Sequence, residues 1–139
     1  MLRLVVLFLL LNFACFPTSA ESLTSAEMEE VILGAWTEKF EMDGVIAAGI
    51  SRYSPDYSVE HTGSIVTDDL KITFRFRSKW RIENDILITE ALETKQPEIV
   101  AVGDIERDTI LSMSHDQWTY READGNVVTA VRLHESSPN

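Results

Sequence analysis

Leu70-Lys71-Ile72-Thr73-Phe74-Arg75-Phe76-Arg77-Ser78-Lys79-Trp80-Arg81-Ile82 separates into two chemical sets when every second residue is taken. One set is Leu70, Ile72, Phe74, Phe76, Ser78, Trp80 and Ile82; the other is Lys71, Thr73, Arg75, Arg77, Lys79 and Arg81. A helix would mix the two sets around its circumference, whereas an extended chain points successive side chains to opposite faces. The stretch reads as a strand with an aromatic face and a basic face. It is long against the usual strand of about five or six residues, which predicts a strongly coiled sheet or a barrel.

Period two continues on both sides. Upstream, Trp36, Glu38 and Phe40 alternate with Thr37, Lys39 and Glu41, and Met42-Asp43-Gly44 reads as a hairpin turn. Val45 to Tyr53 and Tyr57 to Val66 follow as strands, joined by a turn at Ser54-Pro55-Asp56. Downstream, Asn84-Asp85 turns the chain into a strand over Ile86 to Leu92, and Thr94 to Pro97 is a loop. Strands are then predicted over Ile99 to Ile105, Thr109 to Met113, Trp118 to Glu122 and Val127 to Leu133. Arg107-Asp108, His115-Asp116 and a two-residue hairpin at Asp124-Gly125 are the turns between them. Ahead of all this, Ser22 to Leu33 has helical spacing in Met28, Val31 and Ile32, a Thr24–Glu27 capping box, and Gly34 to end it.

No segment between strands is long enough for a crossover helix, so neighbours must pair antiparallel. The predicted fold is all-β: an up-and-down meander of about eight or nine strands closing into a barrel, with one short N-terminal helix. A cone-like curved sheet around a leading helix is the alternative, for which a single helix is few.

The first residues read differently from the rest. Met1-Leu2-Arg3 is a basic start, Leu4 to Phe16 is apolar but for Asn12, and Pro17-Thr18-Ser19-Ala20 ends in small residues. That is the layout of a secretory signal peptide, cut after Ala20, leaving a single domain over 21–139 in the periplasm or extracellular space. The apolar run is too short to span a bilayer, which takes about 20 residues. The alternative is a lipid anchor at Cys15, but Asn12-Phe13-Ala14 does not resemble the usual Leu-small-small lead-in.

Composition narrows the function classes. The 139 residues carry 12 basic and 23 acidic side chains, a net charge of −11. Nucleic acid and anionic membrane surfaces are unsuited to so acidic a chain, because such binding rests on neutralising phosphate. Cys15 is the sole cysteine, so an exported product has neither disulfides nor a thiol nucleophile. The three histidines, His61, His115 and His134, have no spacing that brings ligands together, and no metal or other cofactor is expected. No nucleophile elbow, HExxH or phosphate-cradling glycine loop occurs, so an enzyme is not expected.

Gly34-Ala35-Trp36, opening the first strand after a short helix, resembles the Gly-x-Trp start of lipocalin-like (calycin) barrels. Tyr53-Ser54-Pro55-Asp56 resembles the strand-end turn of small bacterial lipocalin-like domains, where a glycine commonly stands at the position of Tyr57. Lys79-Trp80-Arg81-Ile82 with Asp85-Ile86-Leu87 resembles their mid-barrel hairpin, and Tyr120-Arg121 their late-strand arginine over the opening tryptophan. The resemblance spans Glu29 to Arg121 and implies a barrel whose interior holds a small apolar or amphipathic ligand. Trp36, Phe74, Phe76, Ser78, Trp80 and Tyr120 would line or floor that interior, with Arg121 bracing Trp36. A side-chain-filled barrel is the competing expectation. The second functional reading is a protein-interaction module whose basic face, Arg75, Arg77, Lys79 and Arg81, docks an acidic extracytoplasmic partner. The plainer account of that face is pairing with acids of neighbouring strands, such as Glu60, Glu90 or Glu93.

Overall fold

The computed structural model describes residues 22–135. The stretch over 1–20 expected to be a signal peptide, with Cys15, and residues 136–139 lie outside the described residues. One helix, α1 (Ser25–Ile32), precedes eight strands: β1 (Gly34–Met42), β2 (Val45–Tyr53), β3 (Ser58–Val66), β4 (Lys71–Glu83), β5 (Ile86–Thr94), β6 (Ile105–Met113), β7 (Gln117–Arg121) and β8 (Val127–Arg132). Each strand pairs antiparallel with the next, and β8 returns to β1 through Trp36–Arg132, Thr37–Val131 and Glu38–Ala130. The meander is therefore a closed barrel, as the alternation predicts, and closure leaves no unpaired edge. No described helix is long and apolar enough to cross a membrane.

Turn chemistry sets the register. Asp43 and Gly44 both take positive φ (50° and 79°), as do Asn84 and Asp85 (47° and 64°), giving the tight turns whose twist matches the flanking strands. Tyr57 also sits at positive φ (62°), at the position where the resemblance has glycine. Its ring packs on Trp80 at 5.1 Å and its hydroxyl donates to Glu29 at 3.3 Å, contacts a glycine would lack.

Two expectations are corrected here. Ile99 to Ile105 is not a strand: Ile99 and Val100 both donate to the Gln96 carbonyl, and Ala101 and Asp104 close a second turn at Gly103 (φ 92°). Pro97, which has no N–H to give a ladder, starts this connection. β6 instead runs straight through Arg107 and Asp108. Likewise the Asp124-Gly125 turn is wider than two residues, closed by Glu122 N–H to the Asn126 carbonyl and Gly125 N–H to the Glu122 carbonyl. Eight strands result. Bulges displace Leu92 in β5 and Leu111 in β6, and both leucines are exposed.

The interior divides along its length. At one end α1 plugs the barrel. Thr24 and Glu27 cap the helix reciprocally, the Thr24 N–H donating to the Glu27 carboxylate at 2.7 Å. Met28 and Ile32, one turn apart, bury their side chains against Trp36, Tyr53, Val59, Trp80, Ile82, Trp118 and Tyr120. The Trp36 indole N–H donates to the Ile32 carbonyl (2.6 Å) and that of Trp80 to the Ser58 carbonyl (3.1 Å). Trp118 is also fully buried, meets Trp36 edge to face, and its Nε1 has no hydrogen-bond partner among the described residues. Beyond the plug, Gly49 and Gly63 face each other across β2 and β3. A Cβ on Gly63 would lie 2.6 Å from Phe74 Cζ, so the bare backbone makes room for that ring.

Candidate functional site

The half of the barrel away from α1 holds a cavity of about 260 Å³. Alternation assigns its walls, because residues in phase with the core residues of each strand point inward. Tyr53 from β2, His61 from β3 and Phe74 and Phe76 from β4 form an aromatic wall. His61 stacks on Phe76 at 4.5 Å, Phe76 meets Phe74 at 5.9 Å, and Tyr53 meets His61 edge-on at 6.4 Å. Leu87, Thr89 and Trp118 contribute toward the plug, and Ile99 and Val100 come from the β5–β6 connection. The apolar run that mimics a strand in the sequence thus contributes to the cavity wall.

The opposite side is acidic. Glu38 from β1, Glu106 and Asp108 from β6 and Glu122 just after β7 all line the cavity, together with Tyr120. No lysine or arginine does so among the described residues. Burial pushes the Glu38 carboxyl up to about 7, helped by the charges of Asp108, Glu122 and Glu106, while a hydrogen bond with Tyr120 pulls the other way. Asp108 is also pushed up to about 7, first by burial and then by the charges of Glu106, Glu122 and Asp124. Glu106 and Glu122 shift upward for the same reasons. The Tyr53 and Tyr120 hydroxyls are raised, chiefly by burial and then by Glu38, and stay neutral. His61 is driven down to about 4 by burial, so its ring is uncharged near neutral pH. Its Nδ1 is 2.8 Å from Ser51 Oγ. Glu38 and His61 lie deep among protein atoms yet keep accessible surface, because that surface faces the cavity.

Comparison with protein-family models and with curated proteins finds no match to this chain. The site rests on its own geometry.

That geometry distributes the sequence-predicted residues unevenly. Phe74, Phe76 and Tyr120 line the cavity. Trp36 and Trp80 belong to the plug, and Ser78 is buried opposite Val59 and Ala91, outside the cavity wall. Arg121 does not brace Trp36; it is exposed at the end of β7. Arg132 has that role. Its guanidinium lies 4.1 Å from the centre of the Trp36 ring and donates to the carbonyls of Leu33 (2.8 Å) and Val31 (2.6 Å) at the C-terminus of α1.

The basic stripe is paired along its length. Arg75 meets Glu60 (2.7 Å), Arg77 meets Glu93 (3.0 Å), Lys79 meets Glu90 (2.9 Å) and Arg81 meets Glu83 (2.6 Å). Three of these partners stand on the neighbouring strands.

The sequence reading missed the four carboxylates and His61. The signal was present: Glu38 is in phase with Trp36, Asp108 with Ile110, Glu122 with Tyr120 and His61 with Val59. Among the described residues no group of three or more His, Cys, Asp or Glu side chains is placed to hold a metal ion. The site offers a flat apolar face on one side and hydrogen-bond acceptors of adjustable charge on the other.

Proposed function

We propose that this chain is an exported, lipocalin-like binding module that takes one small, partly apolar molecule into the open half of its barrel. The observation that carries the reading is the cavity itself, with Phe74, Phe76, His61 and Tyr53 along one side. Aromatic walls with a few convergent polar groups are what small-molecule sites are made of. The size favours a compact ligand, since a cavity of about 260 Å³ is below the common range of roughly 300–1,000 Å³ for drug-sized ligands. The Gly-x-Trp start at Gly34 and Trp36, the helix plug and the arginine over the tryptophan support the lipocalin-like assignment. The apolar leader over 1–20 supports export. The basic stripe gives less support to a docking role, because its charges already have acidic partners on the same sheet.

Native mass spectrometry on protein recovered from an extracytoplasmic fraction, before and after solvent extraction, tests the reading. Wild type should carry extra mass that extraction removes. Ala47→Phe, which fills the cavity from β2, should be folded by circular dichroism and carry none. Equal adduct on both proteins, or a bare mass for wild type, would sink it.

A further inference from the structure

Many acids of this protein, such as Asp43, Asp68 and Asp69, are exposed at the surface; two smaller sets have defined surroundings. Glu41, Glu60, Glu83, Glu90, Glu93 and Glu135 each lie within ion-pair distance of a lysine or arginine. Glu38, Glu106, Asp108 and Glu122 are in no ion pair among the described residues, although they are the ones gathered around a cavity. An acidic chain can keep such groups in water at little cost. Gathering them around one cavity is costly, because the burial of Glu38 and of part-buried Asp108, and repulsion from Glu122 and the more exposed Glu106, oppose ionisation.

Two further observations point to an occupant. Glu38 is deeply buried with its carboxyl on the cavity, and its protein partner is the neutral Tyr120 hydroxyl, which leaves acceptor sites open. Across the cavity, His61 has Nδ1 held by Ser51, no partner on Nε2 among the described residues, and its ring stacked with Phe76. The cavity thus presents aromatic surface opposite anionic oxygen. Aromatic faces and carboxylates share an affinity for positive charge, the rings through their quadrupole and the acids through charge-assisted hydrogen bonds.

We propose that the occupant is a small organic cation: a protonated amine on a compact apolar or aromatic body, its ammonium on Glu38 and Asp108 and its body against Phe74, Phe76 and His61. This deepens the binding-module reading and rests on it. A protonated alkylamine keeps its proton up to about pH 10, like a lysine side chain, so between pH 5.5 and 8 only the protein titrates. The groups facing Glu38 and Asp108 are Tyr53, Tyr120, His61, Glu106 and Glu122, with Asp104 and Asp124 nearby; none is a cation near neutral pH. Raising the pH through 7 therefore adds negative charge to the site and strengthens ammonium binding.

Isothermal titration calorimetry with three shape-matched probes tests this: 2-phenylethylammonium, neutral 2-phenylethanol and anionic 3-phenylpropionate. The ammonium should bind tightest, more strongly at pH 8 than at pH 5.5. Glu38→Gln and Asp108→Asn should each weaken it by about tenfold or more, the scale of one lost charge-assisted hydrogen bond, and flatten the pH dependence. Glu60→Gln, on the outer face, should change neither. If a variant fails to fold, the wild-type pH series alone decides. Binding of phenylethanol or phenylpropionate as tight as the ammonium, or ammonium binding that does not rise with pH, overturns the cation while leaving a binding module. Absence of heat with all three probes at millimolar concentration overturns both.

Discussion

The guanidinium of Arg132 touches three segments at once: the C-terminal carbonyls of α1, the ring of Trp36 at the start of β1, and the His115 carbonyl before β7. It satisfies orphan carbonyls at a helix end that carries no basic residue in its last turn. Arg132→Met should therefore lower stability by about 3 kcal/mol, as charge-assisted hydrogen bonds are lost and carbonyls are left without donors. Arg121→Met, at an exposed position, should stay within about 0.5 kcal/mol. Urea titrations followed by tryptophan fluorescence would compare them, and equal effects would contradict the structure. The family resemblance supplied the role but attached it to the wrong arginine. Parity would have chosen correctly: Arg132 is in phase with the buried Val128 and Ala130, whereas Arg121 is out of phase with Trp118 and Tyr120. Parity would also have placed Glu38, Asp108 and Glu122 inside. They escaped notice because a charge on a strand is ordinarily read as a solvent-facing residue, and only closure of the barrel gives its inner face a wet, polar half.

At the scale of elements, β4 was legible because its faces differ in kind, aromatic against basic. The β5–β6 connection was not, because Ile99, Val100, Ala101 and Val102 have strand composition and the cavity contact that draws Ile99 and Val100 inward is long-range. Short apolar runs are ambiguous to periodicity alone. The bulges at Leu92 and Leu111 were hidden for a related reason: each breaks parity, and the displaced leucine faces solvent. The Gly49–Gly63 pair shows the opposite case, in which a locally strand-breaking residue is required by a distant ring. A Cβ at Gly63 would approach the Ala48 carbonyl oxygen to 2.3 Å as well as Phe74. The first contact is with backbone and cannot be relieved by a rotamer change. Gly63→Ala should lower stability by about 1–3 kcal/mol, the usual range for overpacking, despite alanine's better strand propensity. Phe74→Leu in the same chain should recover only part of it. A stabilising Gly63→Ala in thermal unfolding would show that the two strands have room to part.

At the scale of the whole molecule, the cavity carboxyls and the cavity histidine give opposing pH dependences that can be separated. Glu38 and Asp108 titrate near 7 in the folded protein but near 4.5 and 3.8 when unfolded. Between those values the folded state holds protons that the unfolded chain has released. Their contribution to stability is complete below the unfolded values and is lost as pH rises through 7. His61 works in the other direction, since its folded value near 4 lies below its unfolded 6.5. Its contribution is present above 6.5 and is lost as pH falls toward 4. Asp56 and Glu27, both lowered by hydrogen bonds, also lose their contribution on acidification. Above about pH 6.5 the interior carboxyls dominate, so Tm of the ligand-free protein should fall from pH 6 to pH 8. Below that, His61 offsets only one of the two carboxyls, so the decline continues more gently and the maximum should lie at about pH 4, where the unfolded acids take up their protons. Glu38→Gln with Asp108→Asn should flatten the alkaline side and make the variant more stable than wild type at pH 8, because the groups that resist ionisation are gone. A Tm that rises from pH 6 to pH 8 in wild type would mean that these carboxyls are already ionised and solvated at the mouth of the barrel. Saturating 2-phenylethylammonium should reverse the wild-type slope, since a ligand that binds only the folded, ionised barrel adds most stability where its affinity is highest.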